Sequence, residues 1–480
     1  MASIKLNYIY NLLNTITSLL FPLITFPYAA RIMGPEGIGL VNFFQSIISY
    51  VILIVSLGIP LYAVREIARV RNEHTKMNNT FAEIMILHLI LTFAGYVVLL
   101  VLCLTVPRIS TDTALFALLS LSVIFTTIGC EWFYQGIEDF KYITQRAIIF
   151  RILCVVLLFT MVKTSDDILW YASCSVLGSV GNNVFNFFRL RKYIKKEFVD
   201  FSCLKPFRHL KSVSAVFVLT VLSTVYISLN SIILGFFAGD EAVGYYSSGV
   251  KLFTLAFSLI NALTTIMIPR MSNLVAEKKK DEIDSLCQKI YRTICGLSLP
   301  MVVGLFFVSP FAVILFCGGE FGPSIGVSRI VAPLLFIVGL STVFGMQILY
   351  PMGHLNIILK ATLYASFVDI VVVLFFVKYH SQDAAAWAYL LAEITATTSE
   401  YLLGRKIIPI KILDKTLLNY LVGSLIMGVV LWGVSCLNMN NILMTLVMMT
   451  IGTIVYAAVL VARRDPLYLD VKQTIINRIK

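Results

Sequence analysis

Charge is scarce in this chain: Asp, Glu, Lys and Arg together make up 13% of its 480 residues, about half the share of a soluble globular domain. Cysteine occurs nine times, but without the short paired spacings of a disulfide framework or a tetrahedral metal site. Cys103, Cys130, Cys154, Cys174, Cys295, Cys317 and Cys436 fall in or beside apolar runs and read as small core hydrophobes. No Gly-rich loop ends in Gly-Lys-Ser or Gly-Lys-Thr, which excludes ATP hydrolysis by that route. A Gly-x-Ser-x-Gly elbow and a His-Glu-x-x-His pair are also missing. The loops are short and basic, with no room for catalytic acids, so the chain reads as no enzyme and needs neither cofactor nor metal. The alternation of a lipid-facing β-barrel is absent too.

Apolar residues are plentiful, at 59%, and they cluster in runs of roughly twenty, the length that crosses about 30 Å of hydrocarbon. Backbone groups find no water there, so the runs are expected to be helices. We place fourteen: about 10–31, 39–63, 80–104, 113–134, 147–162, 167–188, 212–237, 243–268, 290–316, 326–349, 357–377, 384–403, 416–437 and 440–462. The fold class is therefore an all-α integral membrane protein.

The basic residues check this count. With the N-terminus inside, 31 of the 38 Lys and Arg fall in cytoplasmic segments. The outer segments hold five (Arg31, Arg108, Lys163, Arg329 and Lys378), and Arg151 and Lys251 lie within spans. A missed helix would invert everything after it, so both termini are expected in the cytoplasm. The net charge of +12 is then topology and attraction to anionic lipid rather than a nucleic-acid surface. The first apolar run is too long for a cleaved signal peptide and is expected to serve as an uncleaved anchor. After Arg464, Asp465-Pro466 is a helix-starting pair, and Leu467, Val471, Ile475 and Ile479 share one stripe. A short amphipathic helix on the inner leaflet is expected there, and Phe198 to Leu210 is a candidate for the same setting.

An internal repeat accompanies the spans. Gly34-Pro-Glu-Gly-Ile-Gly39 lies between the first and second, and Gly239-Asp-Glu-Ala-Val-Gly244 between the seventh and eighth, 205 residues on. Tyr134-Gln-Gly136 and Tyr350-Pro-Met-Gly353 form a looser pair. Duplication accounts for both pairs, although a turn that needs Gly arises independently as well. The expected organisation is an N-terminal six-helix lobe (1–190), a basic cytoplasmic linker (191–211), a second six-helix lobe (212–404), two appended helices (405–463) and a cytoplasmic tail (464–480). Two such lobes, each with an even number of spans, would be related by a pseudo-two-fold along the membrane normal.

The run Pro27-Tyr-Ala-Ala-Arg-Ile-Met-Gly34-Pro-Glu-Gly-Ile-Gly39-Leu-Val-Asn-Phe-Phe-Gln-Ser46 resembles the Wzx-type polysaccharide flippases. So do Leu57-Gly-Ile-Pro60, Arg65-Glu-Ile-Ala68, Glu131-Trp-Phe-Tyr-Gln-Gly136 and Val243-Gly-Tyr-Tyr-Ser-Ser-Gly-Val-Lys251. These flippases belong to the multidrug/oligosaccharidyl-lipid/polysaccharide exporter superfamily. The resemblance implies two six-helix lobes around a cavity open alternately to each side, in the bacterial inner membrane. It implies a cargo of oligosaccharide repeat units on undecaprenyl pyrophosphate, moved outward for O-antigen, capsule or exopolysaccharide. Membrane lipids and the polymerase and chain-length machinery of the same pathway are the implied partners. Lipid II flippases carry several arginines in their first helix, whereas span one here has only Arg31, at its outer end. The alternative is an ion-coupled multidrug exporter of the same fold.

A pyrophosphate cargo needs cations, and a glycan needs hydrogen-bonding walls. Lys251, about eight residues into its span, is a candidate phosphate ligand; snorkelling is the competing role. Arg151 faces either a cavity or the inner surface. Arg31 and Arg65 lie near span ends, where plain interfacial anchoring competes with cargo binding. Asn42 and Gln45 share a helix face and suit either a sugar path or interhelical bonding. Asp369 and Glu393, mid-span, are candidates for ion coupling or for a structural pair, and Glu131 for bracing an inner gate. His88 is a lone histidine expected to be hydrogen-bonded in the core, and Gly235-Phe-Phe-Ala-Gly239 matches a helix-packing pattern weakly.

Overall fold

The computed structural model describes residues 4–200, 204–214, 217, 225–412 and 414–469. It divides into two compact units, Met1–Phe236 and Phe237–Lys480. Among the described residues every regular element is a helix.

The first unit begins with α1 (Ile4–Ser56), whose 53 residues span roughly 80 Å at 1.5 Å per residue, more than two hydrocarbon thicknesses. Gly34 breaks it, with φ 66° and ψ −179°, a conformation open essentially only to glycine. One helical stretch thus holds the first two expected crossings. There follow α2 (Ile59–Val70), α3 (His74–Thr105), α4 (Pro107–Thr111), α5 (Thr113–Gly129), α6 (Glu131–Gly136) and α7 (Phe140–Met161). Next come α8 (Ile168–Val176), a π turn over Leu177–Gly181, α9 (Asn183–Leu190) and α10 (Val225–Phe237).

The second unit has α11 (Asp240–Ala276), α12 (Lys280–Cys317), α13 (Ser324–Val331), α14 (Leu334–Ser341), a π segment over Thr342–Leu349, α15 (Leu355–Gly404), α16 (Lys415–Ser435) and α17 (Asn441–Ala462). The 50-residue α15 again carries two expected crossings, parted at Ser381 (φ 41°). Among the described residues eight stretches are individually long and apolar enough to cross a membrane, and the bent pair Ser324–Val331 with Leu334–Leu349 makes a ninth. Ile9–Val70 and Leu355–Gly404 each hold two expected crossings, which brings these to eleven, a number consistent with fourteen since α8 to α11 cover parts of the other three expected spans. Their outer faces carry bare apolar side chains, such as Phe93 at 73% exposure, Phe375 at 71% and Val429 at 69%. Water would penalise such surfaces, whereas lipid accepts them.

Three expectations change. The fifth span starts at Phe140, seven residues before the expected 147, because Asp139 caps α7 by accepting the Tyr142 N–H at 3.4 Å. Arg146 therefore lies inside a helix and not in a loop. The stretch Phe198 to Leu210, where described, is no surface helix: it forms part of two short 3-10 turns, Lys196–Phe198 and Pro206–His209, fastened to α3. Asn78 Oδ1 accepts the Lys195 N–H (2.9 Å), Asn79 Oδ1 that of Asp200 (2.9 Å) and Glu83 Oε1 that of Lys205 (2.8 Å). Buried Glu83 also takes Arg208 at 2.5 Å and His209 at 2.9 Å, and Tyr62 hydroxyl meets the other His209 nitrogen at 2.6 Å. Finally, Cys436 is exposed and Cys103 half-buried, while the other described cysteines are buried. The expected tail helix lies outside the described residues beyond Leu469; at its start, Asp465 Oδ1 does accept the Leu467 N–H at 3.0 Å.

The repeated glycines share a geometry. Gly34 (φ 66°, ψ −179°) and Gly239 (φ 89°, ψ 176°) have nearly the same backbone conformation. Gly318, which precedes Gly319-Glu320, adopts it as well (φ 100°, ψ 171°). The motif is therefore a turn device used three times. Gly235 fits the packing pattern, since a Cβ there would come within 2.0 Å of the Phe43 ring.

Candidate functional site

In the first unit the charged groups gather on α7 and the start of α6. Arg151 is half-buried and sends one Nη to the carbonyl of Asn14 (3.1 Å), to its Oδ1 (3.0 Å) and to the Thr17 hydroxyl (2.6 Å). The Thr144 hydroxyl donates to the Tyr10 carbonyl at 2.9 Å, so α7 is laced to the first turns of α1. Arg146 is buried at 6% exposure. Its guanidinium lies 5.4 Å from the centre of the Tyr142 ring, and its Nε and one Nη meet no hydrogen-bond partner among the described residues. Glu131 is the carboxylate whose charge acts on both arginines.

Glu131 owes its place to the motif it opens. Cys130 takes a left-handed conformation (φ 41°) that turns the chain out of α5 into α6. Trp132, Phe133 and Tyr134 are all buried in an aromatic cluster with Tyr62, Phe81 and Tyr193. The Tyr134 hydroxyl donates to the Asn186 carbonyl at 2.7 Å, and Gly136 leaves only enough room for Ile67. The motif's aromatic part is thus packing, and its polar residues Glu131 and Gln135 are half-buried.

The other candidates of this unit are dispersed. Arg31 is exposed. Arg65 is exposed, pairs with Glu66 at 3.2 Å and lies 5.6 Å from the centre of the Tyr62 ring. Gln45 gives its amide to the Ser175 hydroxyl at 2.7 Å, joining α1 to α8, while Asn42 is half-buried one turn earlier. His88 is 1% exposed and neither ring nitrogen has a hydrogen-bond partner among the described residues, contrary to the expected bonded core histidine.

In the second unit Lys251 is half-buried on α11. Asp369, fully buried on α15, acts electrostatically on the half-buried Glu393, and Glu393 in turn on buried Glu400. Glu393 and Glu400 are seven residues apart, two turns on one helix face, a spacing that marks the third acid in the sequence itself. Glu400 Oε1 sits 2.6 Å from where a Cβ on Gly345 would lie, so the π segment admits the carboxylate only because that residue is glycine. Arg146 gives no comparable signal: a basic residue beside an apolar run reads as its flank.

This is a multi-pass helical membrane protein with ionisable groups held inside its crossings, a pattern that marks transport pathways. Residues 4–275, more than half of the chain, match the polysaccharide biosynthesis protein family, and the chain belongs to that family. A putative O-antigen transporter of Escherichia coli (strain K12) is 25% identical over 400 residues, covering 82% of this chain and 95% of the relative. The fold is similar to that of the lipid II flippase MurJ in an inward closed conformation. The TM-score is 0.72 at 18% identity, over 96% of this chain and 100% of that one. An inward-facing multidrug resistance MATE family transporter of the MOP superfamily gives a TM-score of 0.65 at 16% identity, over 81% and 94%.

Proposed function

We propose that this chain flips undecaprenyl-pyrophosphate-linked oligosaccharide repeat units from the cytoplasmic to the outer leaflet of a bacterial inner membrane. The cargo is exposed alternately to the two sides, both termini lie in the cytoplasm, and the polymerase and chain-length machinery of surface polysaccharide synthesis take up the product. Family membership and the likeness to a putative O-antigen transporter support a lipid-linked glycan as cargo.

The observation that carries the reading is Arg146, a cation buried in a crossing with two nitrogens unpartnered among the described residues. Such a group is costly in hydrocarbon, and an anionic cargo offsets that cost. Lys251 and Arg151 share that role. Arg31 and Arg65 gather the phosphates at the span ends, and Asn42 and Gln45 offer amides to the sugars. Asp369 and Glu393 exchange a coupling ion, and Glu131 holds the arginine pair until cargo displaces it. A multidrug exporter of the same fold would carry cations, which these arginines and Lys251 repel.

The test is genetic. In a host deleted for its own flippase, with the matching glycan pathway present, expression of this chain should restore surface polysaccharide and clear the lipid-linked precursor from the inner leaflet. Full expression in the membrane with no restoration for any of several glycans would sink the assignment.

A further inference from the structure

The chain that follows α9 is held at a definite depth. The bare apolar face of α3 runs from Leu89 to Leu104, and about twenty residues cross the hydrocarbon. Counted back from the helix end at Thr105, the inner edge of the hydrocarbon falls near Met85, roughly 30 Å along the axis. Asn78, Asn79 and Glu83, the side chains that accept N–H groups of Lys195, Asp200 and Lys205, lie just beyond that edge. Glu83 is about 3 Å past it, within a headgroup layer of about 5–8 Å. Both ends are pinned as well, since Tyr193, Ile194 and Val213 pack into the aromatic cluster of α2, α3 and α6. The turn Pro206–His209 is therefore fixed at the level of lipid headgroups.

The outer face of this turn is unsuited to water. His209 is buried and meets Glu83 and Tyr62, while Phe207 is 64% exposed. Leu210, three residues on and along the same edge of a 3-10 turn, is exposed too. Lys205, Arg208 and Lys211 flank this apolar pair, all of them exposed. The stretch 191–211 holds seven basic residues and two acids, Glu197 and Asp200. A third acid facing it, Glu83, is engaged by Arg208 and His209. Nearby, Glu66 pairs with Arg65 and Arg69, Glu73 with Lys76, Glu138 with Arg71 and Asp139 with Arg189. With every one of these acids counted, the surface remains cationic.

We infer that the Pro206–His209 turn is an anionic-lipid site, where Phe207 and Leu210 enter the interface and the Lys205 and Lys211 ammoniums bind headgroup phosphate. A bare ring and a bare leucine at headgroup depth are covered by the acyl-chain boundary. Any phospholipid would cover them, but clustered lysines draw acidic headgroups. The site does not depend on the identity of the cargo.

The test uses the full-length protein in nanodiscs, with the indole introduced by Phe207→Trp read as a difference from the wild type and its four tryptophans. Phe207 is exposed, so the substitution keeps the fold. Acyl-brominated phosphatidylglycerol or acyl-brominated phosphatidylcholine is the quencher, each at the same mole fraction in an otherwise identical bilayer. Quenching should favour phosphatidylglycerol, with a relative affinity of about fivefold per lysine. Adding Lys205→Gln and Lys211→Gln should bring that preference close to one while brominated phosphatidylcholine still quenches. An indole quenched by neither lipid would place the turn in water or against protein. Equal quenching by both lipids with the lysines in place would show no choice of headgroup. Either result overturns the inference.

Discussion

A guanidinium in hydrocarbon costs about 2.5–3.5 kcal/mol on insertion scales, and among the described residues Arg146 has the charge of Glu131 and the face of the Tyr142 ring to offset it. Replacing an under-compensated buried charge by an apolar side chain of similar length is often neutral or stabilising. Arg146→Met is therefore expected to keep or raise the thermal unfolding temperature while slowing glycolipid flipping at least about tenfold, the worth of one lost charge-assisted contact. A fall in unfolding temperature with transport intact would make Arg146 a structural cation instead. At the rim of the second unit Asp414 behaves in the opposite way. Burial alone would raise its carboxyl, but the hydrogen bond and charge of Arg292, with help from Thr416, hold it below the usual carboxylate range. A depressed carboxylate contributes stability above its unfolded pKa and loses it as pH falls through the folded one. The unfolding-temperature gap between wild type and Asp414→Asn should therefore stay level from pH 8 to 5 and close only below about 3.8, the ordinary aspartate value. With Arg292 37% exposed, the gap corresponds to at most about 1 kcal/mol.

At the scale of elements, the helices are long and broken rather than short and joined. Gly34 lets two crossings run on as one stretch, because its φ and ψ bar a side chain. Gly34→Ala should cost about 1–3 kcal/mol, as should Gly239→Ala at its matching turn. Gly433 lies inside helix α16, with nothing within 4 Å of where a Cβ would stand. There alanine should be neutral or stabilise by about 0.5–1 kcal/mol. Thermal unfolding in detergent separates the two cases, and equal effects at Gly34 and Gly433 would deny the turn its role. The crossings themselves are legible in the sequence because hydrocarbon demands about twenty apolar residues whatever the tertiary context. Their breaks are less so: Ser381 carries no glycine signal, and the fifth span's start is hidden because Arg146 reads as a loop residue. The linker is obscure for a similar reason, since the acid that fastens it, Glu83, lies more than a hundred residues earlier in the sequence.

Across the whole molecule, composition alone identifies a helical membrane protein, and the N-terminal motifs point to the family that residues 4–275 match. The site is less visible. Lys251, Asp369 and Glu393 stand out as charges within apolar runs, but which groups meet is set by folding: Asp369 and Glu393 act on each other across the Ser381 break of α15, and Gln45 is bonded to Ser175 on another helix. Transport is what the whole reading stands on, and it is measured directly as flipping in proteoliposomes. Wild type and Lys251→Ala would be compared at matched insertion for movement of undecaprenyl-pyrophosphate-linked oligosaccharide between leaflets. The expected result is flipping by the wild type and its collapse in the variant. The opposite result, in which no such glycolipid flips while a cationic dye is carried against its gradient, would contradict it.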